Sequence, residues 1–519
     1  MTDRCFEARP RRERPPKARV GRNAYFQSLL GAALAAATLL SACEVGPDYQ
    51  RPSAVTPAAY KEAEGWTPAK PQDSADRGPW WSVYNDPVLD GLVRQVEVSN
   101  ETLKTFEAQY REARAVVDQA RSGLYPTAST TGSTARAQTA GHAPNGAGAQ
   151  IVQNQFLLTG SASWDVDLWG RIRRTIESDV ASAQASAADL ASARLSAQAT
   201  LATNYYNLRS ADELKHLLDD TVVAFTKSLQ ITKDRFASGT AARTDILQAQ
   251  ALLESTQSQA INVGVQRAQF EHAIAVLIGK APSDFSIEPV RLTTELPVIP
   301  AGVPSTLLER RPDIAAAERQ AAAANALVGV AIAAYYPDLT LSASGGFSSN
   351  MLSNLLQASN SIWSFGGQLS ETVFDAGLRG AQVDQARAVY DQNVATYRQT
   401  VLSAFQQVED ELAAIRILAQ QAEVQALAVR DAEIAVQLTL EQYKAGTVDY
   451  TAVITAQTNA LSDEETAVGI LQNRLDASVS LIQALGGGWD SGQLPDPDRL
   501  DASIGANANS TQTAATTQQ

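Results

Sequence analysis

The sequence predicts an α+β protein built by internal duplication, with long strands and much longer helices. Three observations carry that reading. Residues 124–256 and 335–463 follow one design: Gly239-Thr240 and Gly446-Thr447 interrupt helix-like runs at an offset of 207, which Ala249-Gln250 with Ala456-Gln457, and Gly170 with Gly377, also keep. Tyr125-Pro126 and Tyr336-Pro337 open the copies at an offset of 211, so the first copy carries four extra residues in a loop. The runs Arg171 to Phe236 and Arg379 to Ala445 contain no proline and a single glycine, Gly380. Finally, each copy holds two segments in which apolar and polar residues alternate with period two.

The chain opens on a targeting segment. Arg4 to Arg22 is strongly basic, Ala24 to Leu40 is apolar, and the stretch ends in Leu40-Ser41-Ala42-Cys43. Basic, apolar, then small residues at a cleavage point is the order of a secretory signal, here residues 1–42. A cysteine at that point reads as a lipobox, with Cys43 the mature N-terminus carrying acyl chains such as palmitate; the blander alternative is an ordinary signal peptide with a chance cysteine. Glu44 follows, and by likeness to bacterial lipoproteins a residue other than Asp there favours outer membrane sorting. Cys5 falls within the removed segment, so neither an intramolecular disulfide nor a cysteine metal site is expected. Loss of residues 1–42 removes eight Lys/Arg and three Asp/Glu and moves the formal charge from −14 to −19. So acidic a chain is a poor partner for nucleic acid. No run of 18 apolar residues follows Cys43, so no spanning helix is expected.

Asp86 to Ser122 reads as the first helix. Leu124 to Ala135 is a weaker strand rich in Thr and Ser, and Ala135–Gln153 is a Gly/Ala/Asn-rich external loop. Phe156, Leu158, Gly160, Ala162, Trp164, Val166 and Leu168 then alternate with Thr159, Ser161, Ser163, Asp165 and Asp167. Arg171 to Phe236, taken as one helix, is about 100 Å long at 1.5 Å per residue. Such lengths call for bundle or coiled-coil packing. Ala181, Ala185, Ala188, Ala191 and Ala199 supply small residues that let helices approach closely, although alanine is also simply the best helix former.

The long helix stops at Ala237-Ser238-Gly239-Thr240, where glycine suits the left-handed residue that ends a helix. A second helix, Thr244 to Ile278, returns. The second copy repeats the plan. Its short helix, Asp313 to Tyr335, begins at Arg310-Arg311-Pro312-Asp313, with Pro fit for the first position and Asp for the dipole. Leu339, Leu341, Ala343, Gly345 and Phe347 alternate with Asp338, Thr340, Ser342 and Ser344. Ile362 to Phe374 alternates too, with Trp363, Phe365, Leu369 and Val373 apolar and Glu371 breaking the face. Arg379 to Ala445, the Gly446-Thr447 turn and Thr451 to Leu485 complete the second hairpin. Ser503 to Gln519 is Asn/Ser/Thr/Gln/Ala in character and is expected to be disordered.

Strands of ten or more alternating residues exceed the usual five or six and fit tilted transmembrane strands, apolar to lipid and polar to lumen. A half-buried soluble sheet is the alternative, and length favours the membrane. Four strands cannot close a barrel, and open edges are not tolerated in lipid. An α+β membrane protein of this kind therefore has to share its barrel among several chains.

These pieces resemble one family along the whole mature chain, the TolC-like outer membrane efflux proteins, in the lipoprotein branch that serves RND-type pumps. The residues that carry the likeness are Val45-Gly46-Pro47-Asp48-Tyr49, Trp80-Trp81, Asp165-Val166-Asp167-Leu168-Trp169-Gly170-Arg171, Leu308-Glu309-Arg310-Arg311-Pro312-Asp313-Ile314 and Phe374-Asp375-Ala376-Gly377. The tips Arg235-Phe236-Ala237-Ser238-Gly239-Thr240 and Tyr443-Lys444-Ala445-Gly446-Thr447 complete the set.

The resemblance implies a homotrimer with one 12-stranded transmembrane barrel, four strands per chain, continued by a periplasmic α-helical barrel. It implies an outer membrane, lipid-anchored exit duct for drugs or metal ions, coupled to a periplasmic adaptor and an inner membrane RND-type pump. The implied domains are a signal peptide (1–42), a lipid anchor and equatorial segment (43–86), a first repeat (87–279), an equatorial linker (280–311), a second repeat (312–485) and an equatorial or disordered tail (486–519). Gly239, Thr240, Gly446 and Thr447 would meet the adaptor. The tips would form a gate in which Tyr443 bonds Asp245; the other reading makes Tyr443 a packed tip aromatic, matched by Phe236 in the first copy. Family carboxylates past the second turn are replaced here by Ala452 and Thr455, with Asp449 nearer the turn as a possible substitute.

An enzyme is not expected. His142, His216 and His272 lie far apart in sequence, and no HExxH, Gly-x-Ser-x-Gly or P-loop pattern occurs. No cofactor or metal is called for, since one histidine supplies no coordination set. Two other functions share some features: a structural lipoprotein tethering a coiled coil to the outer membrane, and the exit duct of a type I secretion system. The first would not need amphipathic strands in both copies; the second is set aside by the resemblance alone.

Overall fold

The computed structural model describes residues 44–57, 59–62, 79–140, 150–292, 296–297 and 310–501. The signal peptide, Cys43, His142 and the 503–519 tail lie outside the described residues. Its elements are α1 (Pro87–Ser99), α2 (Glu101–Ser122), β1 (Thr127–Ala140), β2 (Gln150–Val166), α3 (Arg171–Ala237), α4 (Arg243–Leu277), α5 (Pro312–Ala333), β3 (Asp338–Ser349), β4 (Ser361–Ser370), α6 (Leu378–Ala445), α7 (Tyr450–Ala484) and α8 (Pro497–Asp501). Contacts divide the chain into two compact units, one holding 126–173 and 332–373 with the start of the chain, the other holding the rest.

The first unit is an antiparallel sheet in the order β1-β2-β3-β4. The register joins the two copies across β2 and β3 and aligns their apolar residues: Leu158 faces Phe347, Ala162 faces Ala343, Trp164 faces Leu341 and Val166 faces Leu339. The same face continues where Leu339 meets Leu369, Ala343 meets Phe365 and Gly345 meets Trp363. Because directly opposed residues share a face, this is one apolar surface, and Trp363 and Phe365 stand 82% and 75% exposed on it. The other face is laced with hydroxyls: Ser129 bonds Ser161 at 2.9 Å, Ser344 bonds Ser364 at 2.8 Å, and Thr340 donates to Asp165 at 2.7 Å.

Three boundaries depart most from the sequence reading, each for a reason visible in the hydrogen bonding. The helix expected over Asp86–Ser122 is two helices, because Asn100 is extended and caps the second by accepting from Leu103 N–H at 3.0 Å while its amide donates to Leu277 O at 2.8 Å. The strand expected to reach Phe374 stops at Ser370. Its partner β3 begins at Asp338, just after Pro337, which has no N–H to donate, so 371–374 have no ladder to join. Finally, β1 is shifted to Thr127–Ala140, since Leu124 and Tyr125 still turn off the end of α2, and Ala140 pairs with Gln150. The strands thus extend into the segment expected to be loop.

Two glycines at the repeat-equivalent position both adopt the left-handed conformation, Gly170 at φ 80° and Gly377 at φ 89°. Only Gly170 is covered. A Cβ there would meet Glu44 Cγ at 2.7 Å, and Val45 N–H donates to Trp169 O at 3.1 Å. The first described residues are thereby fixed beside the end of β2.

In the second unit, α3 and α6 run 67 and 68 residues, each about 100 Å. Alanines make the close approaches: Ala188 packs with Ala315 and Ala316, and Ala181 with Ala322 and Ala323. The main core gathers Tyr84, Leu89, Tyr205, Tyr206, Ile274, Tyr397 and Leu475. The motif residues prove structural. Trp80 donates to Gln198 at 3.0 Å, Tyr49 donates to Glu318 at 2.6 Å, and Arg311 bridges Asp313, Gln407 and the Ala484 carbonyl. Among the described residues no helix is long and apolar enough to cross a membrane, and no cluster of three metal-ligating side chains occurs.

Burial raises several carboxyls in this unit, Asp179, Asp189, Glu411, Glu464 and Glu465 among them, and Asp476 has the clearest pH signature. Burial lifts Asp476 to about 6, Glu411 adds repulsion, and its Oδ1 is buried without a hydrogen-bond partner. The fold therefore favours the protonated form, so stability falls as pH rises from about 3.9, the unfolded value, through about 6. Asp476→Asn should raise the Tm at about pH 7.5, with the gain fading below about pH 4. A gain of equal size at both would assign it to packing instead.

Candidate functional site

The paired hairpin tips are the site the sequence singles out. The duplication is reproduced there bond for bond. At the end of α3, Gly239 (φ 77°) donates to Phe236 O at 2.9 Å and Thr240 N–H to Arg235 O at 2.9 Å. At the end of α6, Gly446 (φ 77°) donates to Tyr443 O at 2.9 Å and Thr447 N–H to Gln442 O at 3.0 Å. This is the paired 6→1 and 5→2 closure that a left-handed glycine permits. The threonine hydroxyls each add a bond to the same carbonyls, at 3.0 Å in both copies. Gly239, Thr240, Gly446 and Thr447 are all exposed.

Beneath the turns the copies diverge. Phe236 is 44% exposed, whereas Tyr443, 207 residues on, is 2% exposed. Tyr443 packs in a plug with Phe225, Leu229, Ala249, Leu253, Tyr450 and Val453 drawn from all four hairpin helices. Its ring lies 5.2 Å from that of Tyr450, and the Tyr450 hydroxyl bonds Ser228 of α3 at 3.1 Å.

The expected Tyr443–Asp245 bond is not made within the chain. The Tyr443 hydroxyl is buried without a hydrogen-bond partner. Asp245, half-buried in the first turn of α4, receives, among the described residues, the neighbouring Thr244 hydroxyl at 3.5 Å. Asp245 is still felt electrostatically: burial chiefly, with its charge assisting, pushes the Tyr443 phenol up, while Thr232 and Arg235 act the other way. The packed-aromatic reading describes Tyr443 here. Asp449 accepts from Ala452 N–H at 3.1 Å as the cap of α7, so it is engaged with backbone.

The residue joining the two tips is one to which sequence reasoning gave no role. Arg235 of α3 places its guanidinium 4.5 Å from the Tyr443 ring centroid. It donates to the Tyr443 carbonyl, to Lys444 O at 2.8 Å and to Thr240 O at 3.3 Å. The signal was present in the duplication: the equivalent position in the second copy holds Gln442, so the copies differ where their tips meet.

A four-stranded sheet with one apolar face, joined in sequence to long helical hairpins, defines a class of channel-forming outer membrane proteins. The chain belongs to the outer membrane efflux protein family, whose model matches residues 92–280 and 303–487. It is 32% identical over 466 residues to the toluene efflux pump outer membrane protein TtgF of Pseudomonas putida, covering 88% of this chain and 96% of that one. It is 27% identical over 456 residues to the cation efflux system protein CusC of Escherichia coli, with 87% and 97% covered. The solved outer-membrane channel OprN superposes with a TM-score of 0.79 at 30% identity, over 86% of this chain and 100% of that one. The protein is thus an outer membrane efflux channel, a transport conduit and not an enzyme.

Proposed function

We propose that three copies of this chain close one 12-stranded barrel in the outer membrane, anchored by lipid on Cys43, and that their hairpins form the gated periplasmic end of a drug or metal efflux system. The carrying observation is the sheet: among the described residues β1 and β4 each pair on one side only, while an apolar face runs unbroken across β2, β3 and β4. In lipid an unpaired edge is not tolerated, so β1 of one copy is supplied with β4 of the next. The exposed Gly-Thr tips are the surface offered to an adaptor, and an inner membrane RND-type pump supplies the energy. Relatives named for toluene and for cation efflux support apolar solvents, drugs or metal ions as cargo, with the choice made by the pump. A structural tether would use the helices but not this sheet.

The protein in detergent should have the mass of a trimer and should restore solvent, drug or metal resistance to a cell lacking its outer membrane channel. Mass spectrometry should find the mature chain beginning at an acylated Cys43. A monodisperse monomer with its full strand content would refute the shared barrel.

A further inference from the structure

We infer that Arg235 is the clasp of the closed tip, gripping the second hairpin through the Tyr443 ring and the carbonyls at the end of α6. The inference rests on the gated-channel reading and names a positioning residue for it.

The geometry is one-sided. Arg235 projects from the last turn of α3, and the Tyr443 and Lys444 carbonyls it reaches belong to the end of α6, where Tyr443 O also accepts from Gly446 N–H and the last carbonyls carry the negative end of the dipole. Both groups suit a cation. The guanidinium also lies over the Tyr443 ring within cation–π reach, and a third bond to Thr240 O holds the side chain to its own turn. The fork shape matters: Nη1 takes both α6 carbonyls while Nη2 takes Thr240 O, which a lysine ammonium cannot reproduce while lying over the ring. No carboxylate takes part, so the clasp does not depend on Asp245. The plug lies below it, where Tyr450 also bonds across to Ser228, while the bonds to Lys444 O and Thr240 O are themselves exposed. Moving the second hairpin away from the first has to break the whole set at once.

The copy-equivalent residues do none of this. Gln442 is exposed and lends its carbonyl to the turn, and Phe236 is 44% exposed. The first turn grips the second, and among the described residues no copy-equivalent side chain returns that grip.

The test is resting conductance of the purified oligomer in planar bilayers, with uptake of a large antibiotic by cells as a second readout. Arg235→Ala should raise resting conductance several-fold, a scale set by partly exposed charge-assisted bonds. Arg235→Lys should fall between it and wild type, which a merely structural arginine would not show. Gln442→Ala should match wild type. Tyr443→Leu, which removes the ring face, should leak, and Tyr443→Phe, which keeps it, should leak far less. Wild-type conductance in Arg235→Ala would overturn the clasp, as would an equal rise in Gln442→Ala. A leak in Tyr443→Phe as large as that of Arg235→Ala would return the gate to a hydroxyl bond. If Arg235→Ala does not assemble, Arg235→Lys against Gln442→Ala decides. Wild-type protein that restores no efflux in cells would sink the channel reading itself; restored efflux with an unchanged Arg235→Ala would sink only the clasp.

Discussion

Gly346→Ala should stop the protein from assembling, while Gly366→Ala should assemble normally. A Cβ on Gly346 would lie 2.1 Å from Leu158 O and 2.7 Å from Thr159 Cα. Both are backbone atoms of β2, which cannot rotate aside as a side chain could. Relief requires β2 and β3 to part beside the Thr159–Gly346 pair, and that seam is where the strands of the two copies meet. Overpacking a rigid site costs about 1–3 kcal/mol, and a clash with backbone lies at the upper end or beyond. Gly366 has nothing within 4 Å of its Cβ position. Strand content by circular dichroism and the fraction of heat-resistant oligomer should be near zero for Gly346→Ala and near wild type for Gly366→Ala. Normal assembly of both variants would mean that the β2–β3 register is wrong.

Much of this fold was legible in the sequence because its signals are long. A run such as Arg171 to Phe236 admits few structures other than a helix, and the observed α3 differs from it by one residue. The alternation of Leu158, Ala162 and Trp164 was enough to place them on one face, and the register then put Phe347, Ala343 and Leu341 opposite them. Gly239 and Gly446 were legible because a left-handed residue is a local demand that few others meet. The failures were of shorter range. Asn100 splits a helix by capping its own backbone, and nothing in the apolar pattern records that choice. The end of β4 was set by Pro337 on another strand, beyond the reach of local alternation.

The tip was half legible. Its place, its turns and the four exposed Gly-Thr residues follow from the repeat. The partners of its side chains do not, because they depend on how two hairpins lie against each other. Tyr443 was seen with a hydroxyl in search of an acceptor, yet its ring and its carbonyl make the contacts. Arg235 stood in the motif without a role, and only the Arg-for-Gln difference between copies marked it.

The largest loss of stability is expected at Asp212. Its side chain is 1% exposed, between two guanidiniums: Arg209 reaches Oδ2 at 3.2 Å and Arg267 reaches Oδ1 at 2.7 Å. Arg209 also donates to Glu288 O at 2.7 Å, and Val290 N–H points at Oδ2 from 3.4 Å. One carboxylate thus ties α3, α4 and the 288–290 segment together. Asp212→Ala leaves Arg209 without a carboxylate and Arg267 with only the longer 3.4 Å pair to Glu271, and breaking such a buried set costs about 3–5 kcal/mol. Asp212→Asn keeps the volume but turns a donor toward one guanidinium, so it should lose an intermediate amount. The exposed pair Arg291–Asp220, with side chains 57% and 72% accessible, is the control. Asp220→Ala should change stability by less than about 1 kcal/mol. Unfolding of the assembled protein by urea should rank the three variants in that order, with faster proteolysis within 287–292 in Asp212→Ala before global unfolding. The segment should loosen first because its carbonyl and amide anchors are lost with the arginines' alignment, while the tip plug, which shares no residue with this network, should keep its protection. Equal midpoints for Asp212→Ala and Asp220→Ala would mean that water reaches the Asp212 site and screens its charges.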